Sequence, residues 1–462
     1  MPRAPVCRGA AARSALLLAL AAAACPARAA ADNRVWAQEA DDEDGDGEPD
    51  GEPERWLDLT AFAQPGFIAR LALGDENSPL TDSGWFLQRA RTGLRARLDR
   101  YLLIRIEVEL TPTALLQDAY LDIPILQELQ IRLGQFLVPS LRVYSFNELN
   151  LGFIDRPIYV PVNPDRNFLR YLSPRDIGGM FFGYFGDLSP DATLPVLEYR
   201  AGAFVGRGAN VPQNNDDVFL LALRLQLHVL GFPRGEEAES DIAYSLRPRL
   251  GTALSLYSNC DDRGNWNRGF TVDAELRFRG LYASAGWVWY RNSPGTFEGG
   301  AFLATSGRCP GNPSPNPPPD DPNARLDFVS RGGHVQVQYV LPRPAFPLDG
   351  MNLELLVRAD YVDPASPHVN RRKFGGAFGG PLFGGGRNTP GYVAPANYTD
   401  SDNPPSRYRF TFGINYFPTG VQSLRFGINY QLNLEAETVV TPEGTIRAIR
   451  NDILWLQLTA GL

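Results

Sequence analysis

Residues 85–98 read WFLQRARTGLRARL and residues 101–110 read YLLIRIEVEL, with Asp99 and Arg100 between them. In an extended strand, side chains alternate between two faces. The odd positions of the first run then carry Arg89, Arg91, Arg95 and Arg97. Its even positions carry Phe86, Ala90, Leu94, Ala96 and Leu98, with Gln88 and Thr92 as polar exceptions. The second run sets Arg105, Glu107 and Glu109 against Leu102, Ile104, Ile106, Val108 and Leu110. A helix would scatter these charges around its circumference, whereas a hairpin gathers them on one side. One such hairpin also fits the half-wet sheet of a soluble protein, so the decision rests on repetition.

The alternation repeats. Leu221, Leu223, Leu225 and Leu227 oppose Arg224, Gln226 and His228, and Val272, Ala274 and Leu276 oppose Thr271, Asp273, Glu275 and Arg277. Leu353, Leu355 and Val357 oppose Asn352, Glu354, Arg358 and Asp360. Phe410, Phe412 and Ile414 oppose Arg409, Thr411 and Asn415, and Phe426, Ile428 and Tyr430 oppose Arg425, Asn429 and Gln431. The outer faces of a soluble sandwich rarely carry so many Arg–Glu–Asp ladders on long strands. A transmembrane barrel demands this pattern, because its outside meets lipid, its inside is wet and closure removes the sheet edges. No apolar run approaches the roughly 20 residues of a membrane helix. The expected fold is therefore all-β, a transmembrane antiparallel barrel of about sixteen strands over residues 56–462.

Loop lengths support the same register. Short connections fall at 99–100, 124–127, 279–280, 342–350 and 417–420; long ones fall at 74–84, 138–175, 292–325, 363–406 and 436–452. With both termini periplasmic, the long set is extracellular. Residues 231–241 break the rule, being long for a periplasmic turn. Cys260 and Cys309 both map to extracellular connections, and in an exported protein they are expected to pair.

The N-terminus reads as an export signal over residues 1–30. Arg3, Arg8 and Arg13 precede the apolar run SALLLALAAAA, and Ala27-Arg28-Ala29 offers a cleavage site. A lipidated alternative at Cys25 has Ala22 where such signals carry Leu. Residues 31–55 read as an acidic linker, with ten acids and no base in 39–54. Asp42, Asp44, Asp46 and Gly47 copy the start of a calcium loop, but Pro53 stands where its closing Glu belongs. The acidic run exceeds the chain's net charge of -8 and the basic N-terminal segment offsets part of it, which leaves the barrel nearly neutral. Its bases are almost all arginine, Lys373 being the single lysine.

The order of segments resembles the phosphate-selective porin O/P family. The resemblance lies in FLQRARTGLRARL, LLQDAYLD and LQIRLGQFLVP, followed by a long connection containing SFNELNLGFIDRP, and in the closing hairpin FTFGINYFPTG…LRFGINYQL. It implies a trimeric outer-membrane channel whose third loop folds into the lumen. By position it implies that Arg89, Arg91, Arg95 and Arg97 lie on the lumen wall; Arg105 and Arg132 are expected to line the pore with them. Arg142, Arg156, Arg166 and Arg170 would then lie on or beside the constriction loop. The near absence of lysine departs from the lysine clusters of the family's phosphate binders, and the terminal Leu462 departs from the usual aromatic end.

The expected function is passage of small hydrophilic solutes across the bacterial outer membrane, with a preference for anions, phosphate among them. Arginine stays charged and grips oxyanions in bidentate fashion. Against this stands a self-neutralised wall, since cross-strand pairing places Arg91 near Glu107 or Glu109. No enzyme is expected, because His228, His334 and His368 have no nucleophile motif beside them. The alternative is a non-conducting barrel, an adhesin or structural protein presenting the loop FGGAFGGPLFGGGR, residues 374–387. The expected partners are outer-membrane lipid, small anions and further copies of the chain as a homotrimer. No cofactor, metal or nucleic acid is expected.

Overall fold

The computed structural model describes residues 55–72, 83–99, 101–111, 115–146, 148–160, 174–188, 194–212, 218–231, 238–260, 265–294, 328–342, 352–366, 407–435, 439–441, 444–446 and 451–461. The export signal, the acidic linker, Arg166, Arg170, Cys309 and residues 374–387 lie outside them.

The described chain is built from strands. They are β1 (Trp56–Ala72), β2 (Ser83–Asp99), β3 (Leu102–Glu109), β4 (Leu115–Leu126), β5 (Leu129–Leu137), β6 (Arg175–Phe185), β7 (Val196–Phe204), β8 (Leu220–His228) and β9 (Arg249–Cys260). They continue as β10 (Asn265–Phe278), β11 (Leu281–Pro294), β12 (Phe328–Val340), β13 (Asn352–Ser366), β14 (Arg407–Phe417) and β15 (Leu424–Glu435). A small hairpin, β16 (Val439–Thr441) and β17 (Gly444–Ile446), precedes β18 (Asn451–Gly461). Each barrel strand pairs with its neighbours, and β1 pairs with β18, so the described residues form a closed antiparallel barrel of sixteen strands. No described helix is long and apolar enough to cross a membrane.

Period-two alternation decides which face is which. Val335, Val357, Phe412 and Phe426 stand exposed on the outside, Val335 by 59%. On the same strands Arg358, Arg409 and Arg425 point inward and are 1% exposed. A continuous apolar exterior around a charged interior is stable in hydrocarbon, not in water. The chain is thus a transmembrane barrel of the outer-membrane type.

One face assignment is corrected at the top of β2. Between the pairs Ala63–Ala90 and Pro65–Leu87 the register shifts, so that Gln64 opposes both Gln88 and Arg89. A bulge of this kind changes the parity of every residue beyond it. Trp85 and Leu87 therefore face outward, Trp85 at 85% exposure. Phe86 turns away from the lipid face and packs edge-on against Trp455 at 5.3 Å. Gln88 turns inward and reaches the lumen.

Candidate constriction of the lumen

The long connection after β5, the third loop of the expected topology, turns into the barrel, where its described part, residues 138–146 and 148–160, is mostly buried. It contains only one short helical turn, α1 (Arg142–Ser145), and a 3-10 turn at Glu148–Asn150. Irregular backbone inside a barrel has few main-chain partners and cannot be left unpaired. The wall supplies the partners from its side chains. Ser140 O accepts from Arg224 and from Ser255 Oγ, the latter at 2.7 Å. Glu148 O accepts from Gln64, Leu151 O from Arg425, and Ile154 O from Gln88. Ile154 N donates to Asn429 Oδ1 at 2.8 Å. Asp155 O accepts from Arg358, and Arg156 O accepts from both Arg358 and Arg409.

Two glycines set the closeness of this fit. A Cβ on Gly152 would meet the Gln338 amide, and one on Gly332 would lie 2.5 Å from Cβ of Tyr159. Tyr159 is fully buried there, with its hydroxyl 2.6 Å from His334 Nδ1. Apolar loop residues (Val138, Leu141, Val143, Tyr144, Ile158 and Val160) pack against inward Phe136, Met180, Phe182, Phe204, Tyr257 and Tyr290. The lumen wall is therefore apolar where the loop is apolar, against the polar-inside expectation.

Three ion clusters tie the loop's charges to the wall. On β2 and β3, Arg91 bonds Glu109 at 2.8 Å, Glu107 at 3.0 Å and the loop's Glu148 at 2.6 Å. Arg89 and Arg156 join the same carboxylates. Burial pushes the Glu148 carboxyl up, but Arg91, Arg89 and Arg156 outweigh it and hold it well below the usual carboxylate range. On β10, Glu275 takes Arg142 at 3.2 Å, while Asp273 takes Arg224 at 2.7 Å. On β13 and β14, Arg409 bridges the loop's Asp155 and Asp360, each at 3.0 Å, and Arg358 also bonds Asp360.

The expected pore arginines all lie on the inner face, in different surroundings. Arg105 pairs with Glu107 and Asp118. Arg132 forks onto Asp122 and stacks 4.0 Å over the Tyr120 ring. Arg95 stands opposite Arg105 across the hairpin, with its guanidinium over Trp56 at 5.9 Å. Arg97 is buried beside it. The sequence reading did not single out Arg175, Arg358, Arg409 and Arg425, nor the amides Gln64, Gln88, Asn415 and Asn429. Their inward parity was the available signal; nothing local marked them as partners of a distant loop. Cys260 ends β9 and is disulfide-bonded, its partner lying outside the described residues.

Two cavities beside these clusters are small, about 10 Å³ each. One is lined by His228, Arg249, Glu275 and Arg277, the other by Arg142, Phe146, Glu239 and His334.

No protein-family model matches the chain, and no curated protein matches it. Among solved structures it is similar to an anion-selective porin from Comamonas acidovorans, at 10% identity, TM-score 0.49, with 88% of this chain and 100% of that chain covered. It is also similar to OprB of Pseudomonas putida, at 11% identity and TM-score 0.49, covering 88% and 94%. A third is OmpT, an outer membrane protein of Vibrio cholerae in a trimer form, at 10% identity and TM-score 0.47, covering 89% and 100%. At these values nothing about this chain's solute or assembly follows from the likeness.

Proposed function

We infer that this barrel is an outer-membrane porin through which small hydrophilic solutes diffuse, with a modest preference for anions. The observation that carries the reading is the third connection folded inside a closed, charged barrel, with Arg142, Glu148, Asp155 and Arg156 at the level of the wall's ion clusters. The anion preference rests on stoichiometry. Among the described residues of the β2–β6 cluster, Arg89, Arg91, Arg105, Arg156 and Arg175 stand against Glu107, Glu109, Asp118 and Glu148. One surplus positive charge at this cluster favours anions locally. Because the other guanidiniums already hold carboxylates, the preference is weaker than that of an open arginine ladder.

The motif resemblance to the phosphate-selective porin O/P family belongs to this reading. So do phosphate as a permeant ion, assembly as a homotrimer, an export signal at residues 1–30, and a disulfide between Cys260 and Cys309. The density of the loop's clamps supports a second reading, a plugged and non-conducting barrel with an adhesive or structural role.

Planar-bilayer recording separates the two. The porin reading expects discrete conductance steps and, under a potassium chloride gradient, a zero-current potential of anion sign, with phosphate reducing chloride current. A cation-signed potential overturns the anion preference, and a silent bilayer containing heat-modifiable, folded protein favours the plug.

A further inference from the structure

The connection between β8 and β9 is long for the short-turn end of the barrel, and its described part explains the length. Residues 238–241 rise into the lumen from that end; Glu239 is 2% exposed and Asp241 is fully buried. Asp241 anchors the segment, accepting from Gly280 N at 2.7 Å and from Ser245 Oγ at 2.6 Å. Glu239 meets the tip of the inserted loop: its own N–H donates to Asn150 O at 2.8 Å, and its carboxylate accepts from Gly152 N at 2.9 Å. Gln338 and Gln336 donate to the same carboxylate at 3.1 and 3.2 Å.

The other backbone group of Gly152 leads back to the same segment. Its carbonyl accepts from Asn415 Nδ2 at 2.8 Å; that amide also donates to Glu354, which accepts from Ser240 Oγ at 3.0 Å. Gly152 is the position at which the loop lies against the Gln338 amide, which a side chain there would have to displace. Burying a carboxylate is costly unless it is well bonded, and Glu239 is bonded by one loop N–H, that of Gly152, and by two amides of the wall.

We propose that residues 238–241 form a strut entering from the periplasmic end, with Glu239 as the positioning residue that sets the depth of the constriction loop. The loop is thus clamped sideways by the wall and propped from below by a different connection. Solute passage is then sensitive to a residue on the side opposite the loop's origin. This rests on the channel reading.

The test compares wild type with E239A and E239Q in folded, heat-modifiable barrels, by hydrogen exchange at Gly152 N and by single-channel current. A hydrogen bond to a charged acceptor predicts roughly ten- to hundredfold faster exchange in E239A, with a smaller rise in E239Q, which keeps an acceptor oxygen. Current through E239A is expected to become noisy or to change amplitude, while E239Q stays close to wild type. Unchanged exchange at Gly152 overturns the strut. Faster exchange with a wild-type current overturns the positioning role. Should E239A not fold, E239Q decides alone, on a rise of a few fold at Gly152 against none. A wild type silent in bilayers removes the channel reading, yet leaves the exchange result standing as a separate answer.

Discussion

Two stretches of the lumen wall use arginine differently. On β2 and β3, Arg89 and Arg91 bond carboxylates of the neighbouring strand, and Arg91 directly opposes Glu109 in the ladder. These groups are charge partners, and the loop adds one more carboxylate, Glu148, to their cluster. On β13 and β14, Arg358 and Arg409 share Asp360; Arg358 aims its other N–H groups at the loop's main chain, and Arg409 divides its own between the Arg156 carbonyl and the Asp155 carboxylate. There the guanidinium's fork replaces the hydrogen-bonding partners that an irregular segment lacks. The same residue type is thus a charge partner on one side and a backbone clamp on the other, and an inward arginine in a barrel is not by itself a solute-binding group.

The comparison breaks most readily at the clamp. Replacing Arg358 and Arg409 together by Met leaves Asp360 buried without a cation and two loop carbonyls without donors. An unfolding free energy lower by about 3–5 kcal/mol is expected, read from denaturant titration of the heat-modifiable band. Arg91→Met removes a partner that Arg89, Arg105 and Arg156 partly replace. A loss of about 1–3 kcal/mol is expected, together with a zero-current potential shifted toward cations. Equal losses for the two variants would erase the distinction between the walls.

Smaller effects sharpen it. Arg95→Glu places a carboxylate opposite Arg105, a pairing worth about 0.2–1 kcal/mol, at the cost of the contact with Trp56. A net change near zero in stability is expected, with selectivity moving away from anions. Acid tests the latch at Glu148. Its folded carboxyl lies below the ordinary range, so its contribution is fully present above the unfolded value of about 4.3. It is lost only as pH falls through the folded value. Hydrogen exchange of residues 148–156 is therefore expected to show constant protection from pH 8 to about 5; a loss within that window would mean that Glu148 is not held by its arginines.

Much of this was legible in the chain and some was not. Alternation in 89–98, 271–277, 352–361, 407–416 and 424–435 gave the two faces, the lipid-facing exterior required closure, and the alternation of loop lengths supported the register. The pairing of Arg91 with Glu107 and Glu109 followed from one short turn. The parity flip at Gln88 and Arg89 did not, because two adjacent polar residues carry no sign of which faces the lumen. The clamps were hidden for another reason: Arg358 and Arg409 bond carbonyls 202 and 253 residues away, and a main-chain oxygen has no signature in sequence. The long connection at 231–241 was visible as an anomaly of length, and its meaning emerged only where Glu239 met Gly152.

The account stands on the third connection being held inside the barrel. Leu151, 4% exposed and packed with Phe146 and Tyr282, reports on this most directly. A Leu151→Cys variant is expected to resist a membrane-impermeant maleimide while the barrel is folded and to react fully once it is unfolded. Rapid labelling of the folded barrel from the extracellular side would place the loop outside the lumen and contradict the account.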